Sequence, residues 1–406
     1  MRALSLFLAF LIALFQRLGF ISRPGDGTVE AVYLGVENYG REDTDKEHIK
    51  EFRYVFETDG EQLILTIADD CDSKGRDRDY PVQNVLECGR RYRIRHDGER
   101  LEYIREIPSV DSRPAEPPVS GIPGEKTVLN LLRTAMMPVG STLYIYGGGW
   151  NWQDDGASEM ATDIGLAPEW GRFFREQDRS YRFKDSEDRR HSYYPYGGYN
   201  QYYYAGLDCS GYIGWVLYNT LNSEPGGEGM VWSSTTIASR LSDMGYGAWD
   251  KTRPGEDGKK LLPGDIVSIK GHVWMCIGTC SDGSIVIAHS TPSPSRDGCE
   301  GGGVQLSAIG SDRSCGAMEL AESYMKEYCP EWSERYEVQL KDPKGYTDFS
   351  HEKAGVFSWN TDAGEGLKDP EGIRDMDPGE VLSLIFSRGE TDTDARGSGT
   401  AEAGGE

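Results

Sequence analysis

The stretch Leu207–Tyr218, LDCSGYIGWVLY, decides the fold of the larger part of the chain. Asp208 is a residue type that caps helices, and the apolar residues after Gly211 favour a helix buried in a core. Cys209 then lies in the first turn, where the helix dipole and unpaired N–H groups favour a thiolate. The alternative is that Cys209 is a small buried hydrophobic residue with no chemical role. The segment alone leaves both interpretations open.

Two histidines follow this segment in turn-and-strand patterns. His272 opens the strand HVWMCIG after the turn at 263–265 and the strand IVSI, and His289 ends the strand SIVIAH after the turn Asp282-Gly283. A cysteine hydrolase needs a base beside the thiol and a third group that orients the base. We therefore expect Cys209 to be the nucleophile, His272 the general base and His289 the partner of its far nitrogen. The remaining histidines are expected to be structural: His48, His96, His191 and His351.

These segments, together with LYIYGGGWN at 143–151, resemble the signature segments of the NlpC-type cell-wall peptidases over roughly residues 125–306. The resemblance implies a papain-like α+β domain in which a helix-borne cysteine packs on an antiparallel sheet. It implies cleavage of peptidoglycan stem peptides, often between γ-D-glutamyl and diamino acid residues, without a cofactor. It also implies that Tyr144 contacts substrate and helps stabilise the oxyanion. Asp208 and Ser210 would lie where the family holds the amino end of the stem peptide.

One departure from the family is an aromatic insertion, residues 151–206, which makes the connection from Gly149 to Asp208 unusually long. Its segment HSYYPYGGYNQYYY could stack on sugar rings or cover a cleft, or it could be packed locally. A second departure is the HxxxCxxxC spacing of His272, Cys276 and Cys280, which suggests zinc ligands. Residues four apart in a strand are about 13 Å apart, so we expect no bound metal.

The N-terminus predicts export. Ala3–Phe15 is a run of thirteen residues that is apolar except for Ser5, the length of a signal-peptide core and short of the ~20 residues that span a bilayer. Residues 1–23 are therefore interpreted as a signal peptide or a retained membrane anchor. Eight cysteines in an exported chain suggest disulfides, and Cys71–Cys88 and Cys299–Cys315 are the pairs expected within single segments.

Composition and patterning define the remaining organisation. A net charge of −24 argues against binding nucleic acid, and against binding anionic membranes through the folded domains. Alternating segments predict a small β-barrel or sandwich at 28–106, followed by a Pro-rich linker at 107–124. The peptidase domain is expected at 125–340, a C-terminal accessory element at 341–386 and a disordered acidic tail at 387–406.

The sequence thus predicts an exported cysteine endopeptidase whose partners are peptidoglycan stem peptides. One alternative is a non-catalytic wall-binding or structural protein whose insertion occludes the site. Another keeps the chemistry but changes the substrate to an amide or isopeptide bond in a secreted protein.

Overall fold

The computed structural model describes residues 28–36, 51–68, 89–106, 117–145, 147–148, 164–177, 181, 206–224, 230, 232–296, 298, 300–362 and 364–387. The chain divides into two compact units, with the strands at 28–106 in the first and the described residues from 117 onward in the second. The predicted signal peptide or anchor and residues 388–406 of the predicted tail lie outside the described residues. Among the described helices, none has the length and apolar character needed to cross a membrane.

The first unit is a five-stranded antiparallel sheet in the order β3-β2-β1-β4-β5. Its strands coincide with the alternating segments of the sequence: β1 Thr28–Val36, β2 Glu51–Thr58, β3 Glu61–Ala68, β4 Arg91–His96 and β5 Leu101–Glu106. The two edges of the sheet meet through a parallel bridge between Thr66 and Arg100. The sheet therefore curls toward a closed barrel, which leaves fewer unpaired edge groups.

Aromatic side chains fill the interior of this curled sheet. Tyr33 is fully buried, and its ring lies 5.9 Å from Tyr54, 5.5 Å from Phe56 and 6.4 Å from Tyr92 between centroids. These residues occupy alternate positions of their strands and so point to one face. The alternation of the sequence thus fixes which face becomes the core.

The second unit is a mixed α+β fold. Its helices are α1 Val128–Met136, α2 Pro168–Glu176, α3 Cys209–Leu221, α4 Ile237–Asp243, α5 Gly316–Tyr328, α6 Pro330–Arg335, α7 Pro343–Tyr346 and α8 Pro378–Phe386. Its strands are β6 Gly247–Asp250, β7 Ile266–Ile269, β8 His272–Thr279, β9 Ile285–Pro294, β10 Glu300–Ile309, β11 Leu340–Lys341 and β12 Gly355–Trp359. The sheet order is β11-β10-β9-β8-β7-β12-β6, antiparallel except for the β10–β11 pair.

Helix α3 is buried on nearly every side, as its apolar sequence predicts. Every residue of the helix except Ser210 is buried, and the helix contacts β8, β9 and α1. The Tyr212 hydroxyl donates to the Ala135 carbonyl of α1 at 2.8 Å. A helix that is apolar all round is stable only inside a core, so the position of Cys209 is fixed by packing.

The segment expected to be an accessory element contributes an inner strand next to one edge of the sheet. Strand β12 lies between β7 and β6, and α8 contacts β8 and α1. Arg374 pairs with the fully buried carboxylate of Asp265 at 2.9 Å, and Trp359 donates its indole N–H to the Gly264 carbonyl at 2.9 Å. The C-terminal segment therefore completes the sheet and its core.

Candidate functional site

Hydrogen bonds from three directions position the start of helix α3. The Leu207 N–H donates to Leu143 at 3.1 Å, and the Asp208 N–H donates to Gly148 at 3.0 Å. The Ser290 hydroxyl donates to the Leu207 carbonyl at 2.6 Å. Because Ser290 directly follows His289 in β9, this bond links the approach to Cys209 with the strand that carries a predicted catalytic histidine.

Asp208 and Ser210 form hydrogen bonds with each other, and Asp208 also accepts one from the backbone at the helix end. The Asp208 carboxylate accepts from the Gly211 N–H at 2.7 Å and from the Ser210 hydroxyl at 2.8 Å. Burial raises the pKa of Asp208, although these hydrogen bonds oppose the shift. Both residues flank Cys209; the Asp208 side chain caps the helix, and the Ser210 hydroxyl donates to that cap.

His272 is held by a tight hairpin. It pairs with Ile269 across the two-residue turn Lys270-Gly271, and Gly271 has a φ of 76°, which favours glycine. The Gly271 N–H donates to the Thr235 hydroxyl at 3.0 Å. The hairpin that carries His272 is therefore fixed to the loop before α4.

The structure brings the two predicted catalytic histidines together. His272 Nε2 lies 2.9 Å from His289 Nδ1, and His289 Nε2 lies 2.9 Å from the Ser307 hydroxyl oxygen in β10. Continuing the register of Met275 opposite Ala288 puts His272 diagonally across from His289, which explains the approach. We call these contacts from His272 through His289 to Ser307 the relay. They use Nε2 of His272, so its Nδ1 is the nitrogen that does not contact His289.

The thiol of Cys209 lies beside the start of β8. The Val273 backbone N–H and the Ser234 side chain lie near enough to the sulfur to lower its pKa, and Cys209 is only 6% exposed. Burial, followed by the Asp208 carboxylate, raises the pKa of Cys209 to about 12. The burial of the thiol thus opposes the thiolate that a helix N-terminus favours.

Two residues beyond the predicted peptidase boundary complete the surroundings of the histidine pair. The Tyr346 ring lies 5.4 Å from the His272 ring and 5.9 Å from the His289 ring. Lys341 Nζ lies 5.5 Å from the centroid of the Tyr346 ring, and burial lowers the pKa of Lys341 to about 8. The site therefore includes Lys341 and α7, which fall in the segment 341–386 that the sequence predicts as an accessory element.

The histidine pair is kept neutral. Burial, and next the Lys341 charge, lower the pKa of His272 to about 3. Burial, the neighbouring His272 and Lys341 together lower the pKa of His289 well below its usual value. A neutral imidazole can accept a proton, but a pKa of about 3 makes His272 a weak base toward a thiol whose pKa is about 12.

Tyr144 lies close to the chain that leads into α3. Its N–H donates to Gly302 at 2.8 Å, and its carbonyl accepts from the Tyr181 hydroxyl at 2.7 Å. Its neighbour Leu143 bridges to Gly206. The backbone of the predicted oxyanion residue is therefore fixed beside the helix start.

The aromatic insertion, residues 151–206, is described only at residues 164–177, 181 and 206, which include helix α2.

The other histidines and cysteines have varied positions. His96 and His351 accept from nearby backbone N–H groups in turns, and His48 and His191 lie outside the described residues. Cys276 is fully buried in an apolar cluster. Cys315 is a free thiol. Cys71, Cys88 and Cys299 lie outside the described residues, and with them the expected Cys71–Cys88 pair. Across the described part of the chain, no group of three or more His, Cys, Asp or Glu could hold a metal.

Sequence reasoning missed Ser234, Ser307, Lys341 and Tyr346. Ser307 and Lys341 reach the site only through strand pairing, since β9 pairs with β10 and β10 with β11. No local motif marks either residue. These two positions are thus defined by the sheet rather than by a short segment.

No protein-family model matches the chain, and comparisons with curated proteins and with solved structures find no match either.

Proposed function

We propose that the chain is an exported cysteine endopeptidase with a papain-like, NlpC-type catalytic unit that hydrolyses peptide bonds in peptidoglycan stem peptides. The observation that carries the proposal is the contact of 2.9 Å between His272 Nε2 and His289 Nδ1. Val273, the residue after His272, lies near the sulfur of Cys209 at the helix N-terminus. A nucleophile, a base and a group that orients the base are the parts of such a hydrolase. The resemblance of the sequence segments supports the substrate class, with the γ-D-glutamyl to diamino acid bond as the expected target.

In the first step the thiol and the imidazole react as neutral groups. Nδ1 of His272 accepts the Cys209 proton while the sulfur attacks the scissile carbonyl carbon. Throughout this step the Nε2–H of His272 donates a hydrogen bond to Nδ1 of His289, and the Nε2–H of His289 donates a hydrogen bond to the Ser307 hydroxyl oxygen. This tautomer is the one that leaves a lone pair on Nδ1 of His272. The Cys209 backbone N–H and Tyr144 face the oxyanion that forms.

In the second step the tetrahedral intermediate collapses to a thioester. The C–N bond breaks, and the proton held by His272 passes to the leaving amine. A water molecule, deprotonated by His272, then attacks the thioester carbonyl. The carboxylic acid product leaves, and the proton returns to the sulfur of Cys209.

The low exposure of the thiol supports a second candidate. Cys209 is 6% exposed and its pKa is raised, as expected of a wall-binding or structural protein whose site is occluded. Alkylation distinguishes the two candidates, because an occluded Cys209 thiol fails to react with a small alkylating reagent in the folded protein.

The test combines wild-type protein with Cys209→Ala and with Cys329→Ala, a matched control at another buried cysteine whose thiol donates to the Val139 carbonyl at 3.6 Å. Each protein is incubated with a stem peptide containing the γ-D-glutamyl linkage, its α-linked isomer and an isopeptide-linked protein fragment. Products are identified by mass spectrometry.

We expect cleavage of the γ-linked stem peptide by wild type and Cys329→Ala, and none by Cys209→Ala. Retained cleavage in folded Cys209→Ala overturns the mechanism. Cleavage of the isopeptide substrate alone transfers the chemistry to a secreted protein target. Absence of all cleavage, together with a Cys209 that resists iodoacetamide in folded protein, favours the occluded candidate.

A further inference from the structure

Two cysteines that the proposed chemistry does not use lie together at the far end of the β8–β9 hairpin. Cys280 follows β8 at the hairpin turn and is partly exposed, whereas Cys315 precedes α5 and is buried. A Cβ placed on Gly316 would lie 3.6 Å from both Cβ and Sγ of Cys280. The side chain of Cys280 therefore reaches the residue next to Cys315.

Hydrogen bonds hold the hairpin turn against the start of α5. The Asp282 carboxylate accepts from the Gly316 N–H at 2.8 Å, and the Ser284 hydroxyl accepts from the Ala317 N–H at 3.0 Å. Side chains of the turn thus cap a helix that begins more than thirty residues later in the chain. The approach of the two cysteines rests on this docking and not on flexible side chains alone.

Strand pairing also places both thiols next to the Ile285–Ile309 pair, at the end of strands β9 and β10. The Cys280 N–H donates to Ser284 at 2.7 Å, and the neighbouring Ile285 pairs with Ile309. The Cys315 sulfur lies over Gly310, the residue after Ile309, where a Cβ would come within 2.7 Å of it. Glycine at this position leaves the space that the Cys315 thiol occupies.

We propose that Cys280 and Cys315 are a disulfide-forming pair that fastens the β8–β9 hairpin to the start of helix α5. The pairing differs from the Cys299–Cys315 bridge that sequence proximity suggests. It is independent of the proposed peptidase activity, because it rests on the geometry of the turn and the helix.

The reaction is thiol–disulfide exchange with a disulfide donor, either a protein disulfide or a small-molecule disulfide R–S–S–R. The thiolate of Cys280, the more exposed of the two, attacks one sulfur of the donor and releases the first R–S⁻. Cys315, deprotonated in turn, attacks the Cys280 sulfur and releases the second. Two cysteine thiols are oxidised, one donor disulfide is reduced to two thiols, and the two thiol protons pass to the products.

The test treats the full chain with oxidised glutathione and blocks remaining thiols with iodoacetamide. Trypsin then separates the three candidate cysteines into different peptides: Gly271–Arg296, Asp297–Arg313 and Ser314–Lys326. We expect a cross-link between the first and third peptides, lost in Cys280→Ser and in Cys315→Ser. Cys276 shares the first peptide but is fully buried, so Cys276→Ala is expected to keep the cross-link.

Thermal unfolding gives a second measurement. A disulfide that closes the loop from Cys280 to Cys315 stabilises the fold by constraining the unfolded chain, so its reduction is expected to lower the Tm by roughly 5–10 °C. The Cys280→Ser variant is expected to lose that dependence on reductant. A cross-link between the second and third peptides, or unlinked Cys280 and Cys315 after full oxidation of the accessible thiols, overturns the proposal. Peptide cleavage by the reduced protein bears only on the proposed function.

Discussion

Replacing His289 with leucine tests the relay behind His272. His289 is fully buried, and it contacts His272 on one side and Ser307 on the other, each at 2.9 Å. Leucine keeps the volume but cannot accept a hydrogen bond. The contact to His272 becomes charge-assisted only when His272 holds the proton of the thiol, so its loss acts on the transition state.

The magnitude follows from the kind of bond. A hydrogen bond to a charged group contributes about 1.5–3 kcal/mol net, and about 1.36 kcal/mol corresponds to a tenfold change in rate. His289→Leu is therefore expected to lower kcat/KM by about 10–150-fold with little change in KM. Ser307→Ala removes only a bond between neutral groups, about 0.5–1.5 kcal/mol, so a loss of about 2–12-fold is expected.

The assay is steady-state cleavage of the γ-linked stem peptide, with circular dichroism to verify that both variants remain folded. The order of the two effects is the discriminating result. If folded His289→Leu keeps activity within threefold of wild type, or if Ser307→Ala is the more damaging change, the relay does not orient the base.

Two further predictions concern charges near the sheet. Lys341 helps to lower the pKa of His272 to about 3, so Lys341→Met is expected to raise that pKa. The acid limb of the pH profile of kcat/KM then moves to higher pH, whereas the control variant Lys341→Arg, which keeps the charge, leaves it in place. Because the folded pKa of His272 lies below its usual 6.5, stability falls as pH drops from about 6.5 toward 3, and urea titrations are expected to show a smaller loss in Lys341→Met. Arg374→Met leaves the fully buried Asp265 without its cation and is expected to lower the free energy of unfolding by about 3–5 kcal/mol. Urea denaturation checks this second prediction, and the double variant Arg374→Met with Asp265→Asn is expected to recover much of the loss; an unchanged midpoint in the single variant would mean that the pair is not needed for stability.

The sequence predicts the parts of the site that depend on short segments. Helix α3 follows from its capping aspartate and its apolar run. Both histidines lie on strands, as the turn at 263–265, the strand IVSI and the turn at 282–283 predict. Each of these elements is local, so pattern and turn residues are sufficient to locate it. The diagonal contact between His272 and His289 then follows from an antiparallel hairpin with one register.

The sequence is less informative where long-range pairing decides the outcome. Strand β12 lies between β7 and β6, although in the chain it begins 86 residues after the end of β7 and 105 residues after the end of β6. Its five residues, GVFSW, carry no signal that identifies a partner strand. The same holds for Lys341, which reaches the histidine pair because β11 pairs in parallel with β10. Such contacts depend on which edge of the sheet remains open, and a single sequence does not state that.

Burial also changes the chemistry that the helix terminus alone predicts. A helix dipole stabilises a nearby anion by about 0.3–1 kcal/mol, and by about 2 kcal/mol in partly buried sites. A Cys209 pKa raised from 9.0 to about 12 corresponds to about 4 kcal/mol against the thiolate. Desolvation therefore outweighs the dipole, and the Cys209 thiol and the His272 imidazole are both neutral at rest. Charge separates only when the sulfur attacks, so groups that stabilise the new oxyanion, the Cys209 N–H and Tyr144 in our proposal, contribute more to the rate than any standing ion pair.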